Sequence, residues 1–116
     1  MTSAETTESY EICYNVLSHI YFIIRRGAST HFHPSFKHFF LKYDEPLYIK
    51  SLKLKILSMI ATDESVEEIC TELNEYVTDV NHEISKRSIL CFGQIILNLP
   101  ESAVKVAGLI RTFLAI

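Results

Sequence analysis

The sequence has 116 residues, 48% of them apolar and 22% charged, which is enough for one domain with one modest core. It contains only three glycines and three prolines, which argues against collagen-like, low-complexity and turn-rich all-β architectures. Eleven Lys and Arg against fourteen Asp and Glu give a net charge of -3, so no overall basic field is available to bind nucleic acid. Composition therefore favours a small helical protein without a nucleic-acid partner.

The cysteines and the N-terminus bear on the cellular compartment. Cys13, Cys70 and Cys91 are odd in number and lie in apolar or helical stretches, which is typical of reduced thiols in a cytosolic protein. Residues 1–8 are small, polar and acidic, so they predict a disordered N-terminal segment and not a signal peptide. The longest uninterrupted apolar run, Ile20 to Ile24, is too short to span a bilayer.

The first two predicted helices lie before residue 44. Apolar residues spaced three and four apart predict a helix from Ser9 to Arg25-Arg26-Gly27, where cations suit the negative helix end and glycine suits a left-handed cap. A short second helix opens at His33 or Pro34. It begins an aromatic cluster that we interpret as core packing, with a peptide-binding groove as the alternative. The cluster comprises Phe36, Phe39, Phe40, Tyr43 and Tyr48.

Four further helices follow. The third is predicted from Pro46 to Ala61, after an acidic cap at Asp44-Glu45. The fourth has Asp63 as its N-cap and reaches Val77, the fifth runs from Asn81 to Leu97, and Pro100 opens the sixth. The inward residues are Val66, Ile69, Cys70, Leu73, Tyr76 and Val77 in the fourth helix, and Ala103, Val106, Ala107, Ile110, Phe113 and Leu114 in the sixth.

An internal repeat decides how these helices are arranged. A shift of about 37 residues places the fourth helix on the sixth with its apolar positions aligned, and a shift of about 35 places the third on the fifth. Short connections make neighbouring helices antiparallel. The tryptophan and glycine pattern of tetratricopeptide repeats is missing. The sequence therefore predicts an all-α, HEAT/armadillo-like α-solenoid of about three antiparallel hairpins over residues 9–116.

Both ends of this predicted solenoid are apolar. The first helix contains IYFII, and the sequence stops within LIRTFLAI, whereas terminal repeats normally carry a polar outer face. We therefore expect a segment of a longer protein whose isolated form self-associates. The alternative is a complete six-helix domain with a docked apolar C-terminus.

The sequence contains few polar clusters that could carry chemistry. His31 and His33, with His38 nearby, form the one histidine cluster, but no cysteine or well-placed carboxylate completes a metal site. The cysteines occupy core-like positions, and no nucleophile, phosphate-loop or zinc-protease motif occurs. We therefore predict no catalytic, cofactor-binding or metal-binding residues, no cofactor and no enzyme activity. A small helical enzyme based on the histidines is the alternative.

Two charged groups are predicted to face water. The acidic group lies opposite the apolar stripe of the fourth helix and consists of Glu67, Glu68, Glu72 and Glu75. The basic group lies on and before the third helix and consists of Lys42, Lys50, Lys53 and Lys55. The basic group is interpreted as a solvated face, with contact to anionic lipid or an acidic subunit as the alternative.

Three segments resemble a known family. Glu45–Lys50 (EPLYIK) with Leu52-Lys53-Leu54, Glu72–Val80 (ELNEYVTDV), and Arg87-Ser88-Ile89 with Phe92-Gly93-Gln94-Ile95 resemble, in order and spacing, the trunk of the beta-adaptins. These are the beta large chains of adaptor-protein complexes. The stretch HFHPSFKHFFLKYDEPLYIK resembles the beta chain of the fourth adaptor complex more than those of the endocytic or Golgi clathrin adaptors.

The resemblance implies a non-enzymatic, right-handed HEAT/armadillo-like solenoid. It implies a structural segment of a vesicle coat, acting in intracellular protein transport and vesicle-mediated transport through contacts with a second large chain, a medium chain and a small chain. The location implied is cytoplasmic, peripheral on Golgi, endosomal or coated-vesicle membranes. The resemblance also implies that Pro46 starts a helix, that Tyr48 and Tyr76 pack between repeats, and that Gly93 permits close helix approach. The alternative function is a HEAT-like peptide- or protein-binding solenoid of another regulatory or transport pathway.

Overall fold

The computed structural model describes the backbone of residues 3–114 and the side chains of residues 9–27 and 32–108. Five α-helices are separated by irregular helical segments and short loops. In chain order the elements are α1 (Ser3–Ile23), a π-helical turn (Ile24–Ala28), a 3-10 helix (Ser29–Phe39), α2 (Leu47–Ile60), α3 (Val66–Val77), α4 (His82–Asn98), a 3-10 turn (Pro100–Ser102) and α5 (Ala103–Leu114). No strand occurs within residues 3–114, and the predicted all-α class is confirmed.

The helices stack in two layers. Helix α2 lies between α1 and α4 in one layer, while α3 lies beside α5 in the other and also packs on α4. These contacts between alternate helices are the ones that the repeat offset predicts, because equivalent helices of successive hairpins stack on each other. The arrangement confirms an α-solenoid, in which α3 packs on α4 and α5, while α1 and the irregular segment pack against α2. The predicted right-handedness stays a prediction.

Helix α1 and the turn after it differ in how well the sequence predicted them. The helical backbone begins at Ser3, so the predicted start at Ser9 is wrong. The disorder expected of residues 1–8 stays a prediction. Gly27 has φ 103°, which confirms the left-handed cap after the two arginines.

The helix caps are partly as expected. Pro46 precedes α2 with extended backbone and no side-chain cap, so the acidic cap expected there is wrong, because the Glu45 carboxylate is used elsewhere. Ser65, not Asp63, is the N-cap of α3. The Ser65 hydroxyl accepts a hydrogen bond from the Thr62 backbone N–H at 3.0 Å, which closes the turn one residue before Val66. The cap at Asn81 is confirmed, since its Oδ1 accepts from the Glu83 N–H at 2.9 Å.

The core follows the predicted apolar stripes. All six inward residues of α3 are buried, and α2 adds the fully buried Ile49, Ile56, Leu57 and Ile60. In α5, Val106 is buried and Ala103 and Ala107 are half-buried, while the side chains of residues 110, 113 and 114 lie outside the described residues. Each large apolar side chain buried in this way contributes on the order of 1.5–3 kcal/mol to folding.

The expected aromatic core is confirmed in part, and the expectation for Gly93 is wrong. Phe39 is buried in the core, and Phe36 and Phe40, which contact edge-to-face at 5.9 Å, pack against it. Tyr48 is partly exposed and contacts Tyr14 of α1 at 5.4 Å, whereas Tyr43 is 99% exposed. Tyr43 points outward because residues 43–46 form a loop and no longer follow helical periodicity. Gly93 is also exposed, and a Cβ built on it meets no atom within 4 Å, so it mediates no close helix approach here.

Candidate protein-interaction surface

A groove of about 560 Å³ crosses the layer formed by α1, α2 and α4. Helix α2 lies between the other two and forms the floor, so the C-terminal end of α1 and one side of α4 form the walls. We call this cavity the α2 groove. Its lining residues are Tyr21, Arg25, Ser51, Leu54, Lys55, Ser58, Met59, Arg87, Leu90, Cys91 and Gln94.

The charges of the α2 groove are all positive. Three cations line the groove: Lys55 on its floor, and Arg25 and Arg87 on its two sides. No Asp or Glu is among the lining residues. The Arg25 guanidinium lies 5.7 Å from the centre of the Tyr21 ring, a cation–π distance. Arg87 Nε donates to Glu83 Oε1 at 3.2 Å, and both side chains are partly exposed. A chain of net charge -3 thus carries a locally cationic groove.

Apolar side chains continue around the groove and beyond it. On α4, Ile89, Leu90 and Leu97 are 50%, 61% and 75% exposed, and Val104 of α5 is 86% exposed. Exposed apolar side chains on neighbouring turns are typical of protein contact surfaces. Of the described helices, none taken singly is long and apolar enough to cross a membrane; the bent pair His82–Asn98 and Pro100–Gly108 passes that test by length and composition alone.

The predicted basic patch is not one solvated face. Lys53 is 4% exposed, and its Nζ lies 2.6 Å from Oε2 of Glu45, which is buried with it. Sequence reasoning missed this pair, although Lys53 falls on the same helical stripe as Ile49 and Ile56. Lys50 also contacts the backbone of the preceding loop, because its Nζ donates a hydrogen bond to the Tyr43 carbonyl at 3.2 Å. Lys42 and Lys55 are exposed as expected.

Tyr76 connects α3 to the irregular segment. Its hydroxyl accepts a hydrogen bond from the Leu41 N–H and donates one to Glu72 Oε2, both at 2.9 Å. Burial, followed by the nearby Glu72 carboxylate, raises the pKa of Tyr76, so the hydroxyl stays protonated and able to donate. Tyr76 therefore packs between elements as expected, whereas the expectation that Glu72 only faces water is wrong.

The other acidic residues of α3 lie at the surface. Glu67 pairs with Lys105 of α5 at 3.0 Å, and Glu68 pairs with Lys37 at 3.4 Å. Glu75 is exposed. Exposed pairs of this kind contribute only about 0–1 kcal/mol each, so this face is a solvated one.

Two of the three histidines of the predicted cluster have described side chains. His33 is half-buried and His38 is exposed, while the side chain of His31 lies outside the described residues. Within the described part of the chain, no group of three or more His, Cys, Asp or Glu side chains could hold a metal ion. That these three histidines have no catalytic or metal-binding role stays a prediction.

The cysteines are free thiols in or beside the core. Cys70 and Cys91 are buried, and Cys13 is half-buried. Burial raises the pKa of Cys70 to about 11 and raises the pKa of Cys91 as well. The Cys91 thiol donates a hydrogen bond to the Leu54 carbonyl at 3.4 Å, and this contact joins α4 to α2. Protonated, buried thiols are poor nucleophiles, so these two cysteines serve packing.

Comparison with known proteins places the chain in a family. Residues 6–115 match the family described as the Adaptin N terminal region. The chain is similar to the AP-4 complex subunit beta of Dictyostelium discoideum, with 41% identity over 93 residues covering 77% of this chain and 11% of that protein. It is also similar to beta-adaptin-like protein A of Arabidopsis thaliana, with 40% identity over 89 residues covering 77% of this chain and 10% of that protein.

A mammalian relative extends the match along the chain. The AP-4 complex subunit beta-1 of Mus musculus is 31% identical over 106 residues, which cover 91% of this chain and 14% of that protein. The chain thus spans about a tenth of the length of the curated relatives it matches. These similarities confirm the resemblance that the EPLYIK and ELNEYVTDV segments carry. The chain therefore belongs to the adaptin family, and within it to the beta-adaptins of adaptor-protein complexes.

Proposed function

We propose that this chain is a structural segment of a beta-adaptin large chain in a vesicle-coat adaptor complex. Its role is intracellular protein transport and vesicle-mediated transport, exerted through subunit–subunit contacts and not through catalysis. The match of residues 6–115 to the adaptin N-terminal region carries this proposal. The two-layer helical stack supports it, because stacked hairpins offer long outer surfaces to other subunits.

The proposed partners are the other chains of the complex: a second large chain, a medium chain and a small chain. Two of the relatives are named as beta subunits of AP-4, which favours the fourth adaptor complex. We further propose a cytoplasmic protein that reaches Golgi, endosomal or coated-vesicle membranes peripherally, through the assembled complex. Nucleic acid has no place in this function, in keeping with the net charge of -3.

Affinity purification of the tagged full-length chain from its source cell tests the proposal. We expect one further large chain, one medium chain and one small chain to be recovered together, and mass spectrometry of these chains identifies which complex is present. A Leu73→Asp variant, which places a charge in the core, is expected to lose all three. A Lys86→Glu variant, altered at an exposed position of α4, serves as the control. Recovery of the folded chain without any adaptor subunit would contradict the proposal.

The exposed apolar residues also give a proposal for the isolated 116-residue chain. Leu97 and Val104 lie on α4 and α5 with most of their surface in water. We expect the chain alone to self-associate as its concentration rises, and a Leu97→Glu/Val104→Glu variant to do so less. Sedimentation velocity over a concentration series measures this. A chain that stays monomeric throughout would show that these side chains do not mediate association.

A further inference from the structure

We propose that the α2 groove is a binding site for an acidic peptide segment that also carries apolar side chains, supplied by a partner protein. This inference goes beyond the scaffold function, because it assigns a ligand class to one surface of this chain. It needs no second large chain, so it stands or falls separately from assembly.

The cations of the groove are available to a ligand. Lys55 is exposed, and its ammonium makes no ion pair or hydrogen bond with another described residue. Arg87 engages Glu83 through Nε, which leaves its terminal amino groups as donors. Arg25 lies beside the Tyr21 ring, where its flat guanidinium can still donate hydrogen bonds in its plane to a carboxylate. Three cations without a lining acid make a surface complementary to carboxylates.

The rest of the lining selects a peptide over a lipid headgroup. Tyr21, Met59 and Leu90 supply apolar surface to the lining. A phosphate headgroup needs only positive charge at an open surface, whereas an acidic peptide uses both carboxylates and apolar side chains. The volume of about 560 Å³ lies within the roughly 300–1,000 Å³ typical of ligand sites and accommodates a few side chains. Methionine suits such a site because its side chain adapts to varied shapes.

The position of the groove keeps it open in a longer stack. Helix α2 is flanked on both sides within its layer, by α1 and by α4. Further helices of the same layer would therefore pack against α1 or α4, at the ends of the layer, and would not cover the surface above α2. A groove built across three helices of one layer is thus accessible in the longer solenoid as well as in this chain.

Fluorescence anisotropy with labelled peptides tests the proposal on the 116-residue chain. The probe is EELFEE, compared with QQLFQQ, which lacks the carboxylates, and EEGSEE, which lacks the apolar side chains. We expect EELFEE to bind at least fivefold more tightly than either control peptide. Raising the salt concentration should weaken its binding, because the contacts involve partly exposed charges.

Matched charge reversals locate the site. Lys55→Glu should weaken EELFEE binding at least tenfold, whereas Lys86→Glu, the same charge change outside the groove, should change it less than twofold. Thermal melts followed by circular dichroism check that both variants fold. Equal effects of the two variants, or no binding of EELFEE to the wild-type chain, would overturn the proposal. So would binding of phosphatidylserine vesicles through Lys55 without binding of the peptide, since this outcome assigns the groove to a membrane surface.

Discussion

Residues 47–98 and residues 24–46 share one apolar core but differ in backbone regularity and in the polar contacts that hold them. The first region is a regular stack, in which α2, α3 and α4 bury continuous apolar stripes against one another. The second region, which we call the connector, consists of a π-helical turn, a kinked 3-10 helix and a loop. Apolar packing is spread over many side chains in the stack, whereas the second half of the connector combines a few apolar contacts, with Phe39 buried in the core, with specific polar contacts.

Three different helices hold that part of the connector. Lys53 of α2 pairs with Glu45 at 2.6 Å, and Tyr76 of α3 accepts a hydrogen bond from the Leu41 N–H at 2.9 Å. From α1, the Tyr10 hydroxyl donates to the Asp44 carbonyl at 2.9 Å. A segment without a regular hydrogen-bond ladder must satisfy its backbone groups individually, so each such contact matters more than a single contact in a helix.

The largest effect is expected at the buried ion pair. Lys53→Met leaves the Glu45 carboxylate buried without its cation, which should lower the free energy of unfolding by about 3–5 kcal/mol. Urea denaturation followed by circular dichroism measures the change. In a Lys53→Met/Glu45→Leu variant no charge remains buried, so most of the stability should return. If the single and double variants were equally unstable, the pair would not be the element that holds the connector.

The corresponding experiment in the stack creates a cavity in the core. Leu73→Ala removes a fully buried side chain of α3 and should cost about 2–5 kcal/mol of unfolding free energy. Leu97→Ala, the same change at a position 75% exposed, should cost less than about 0.5 kcal/mol. Similar losses in the two variants would contradict the assignment of Leu73 to the core stripe.

The same contrast explains what the sequence could predict. The stripe of α3, the Asn81 cap and the stacking of α2 on α4 follow from apolar spacing and local capping chemistry, both of which act within a few residues. The Lys53–Glu45 pair and the Tyr76–Leu41 contact join residues that are 8 and 35 positions apart in an irregular segment, which local patterns do not specify. Tyr43 was misplaced for that reason, since helical periodicity was extended into a loop.

The α2 groove also could not be predicted from the sequence. Arg25, Lys55 and Arg87 lie on three different elements, and only the stacking of those elements brings them around one cavity. The sequence did show Lys55, but in a patch with Lys53, which is buried. The resemblance to beta-adaptins supplied the fold and the family but no ligand-binding residue.

Removing one hydroxyl group should destabilise the connector less than breaking the ion pair. Tyr76→Phe keeps the packed ring but leaves the Leu41 N–H without its partner, so a loss of about 1–3 kcal/mol is expected. Hydrogen exchange should show faster exchange of the Leu41 amide, with the amides of α4 little changed. Tyr43→Phe is the control, because that side chain is 99% exposed. Unchanged exchange at Leu41 would contradict the role assigned to the hydroxyl.

The smallest predicted effects on stability have opposite signs in the connector and in the stack. Gly27→Ala forces a Cβ into a backbone with φ 103°, and although no atom lies within 4 Å of that Cβ, the left-handed conformation alone should cost about 1–2 kcal/mol. Gly93→Ala places the same methyl group on the exposed surface of α4, where helix propensity should add about 0.5–1 kcal/mol. Urea denaturation of both variants measures the two changes in the free energy of unfolding. Two identical substitutions, each into open space, should therefore shift stability in opposite directions, because the connector requires glycine for its backbone and the stack does not. A loss at Gly93 would indicate that the α4 surface is in contact with another chain.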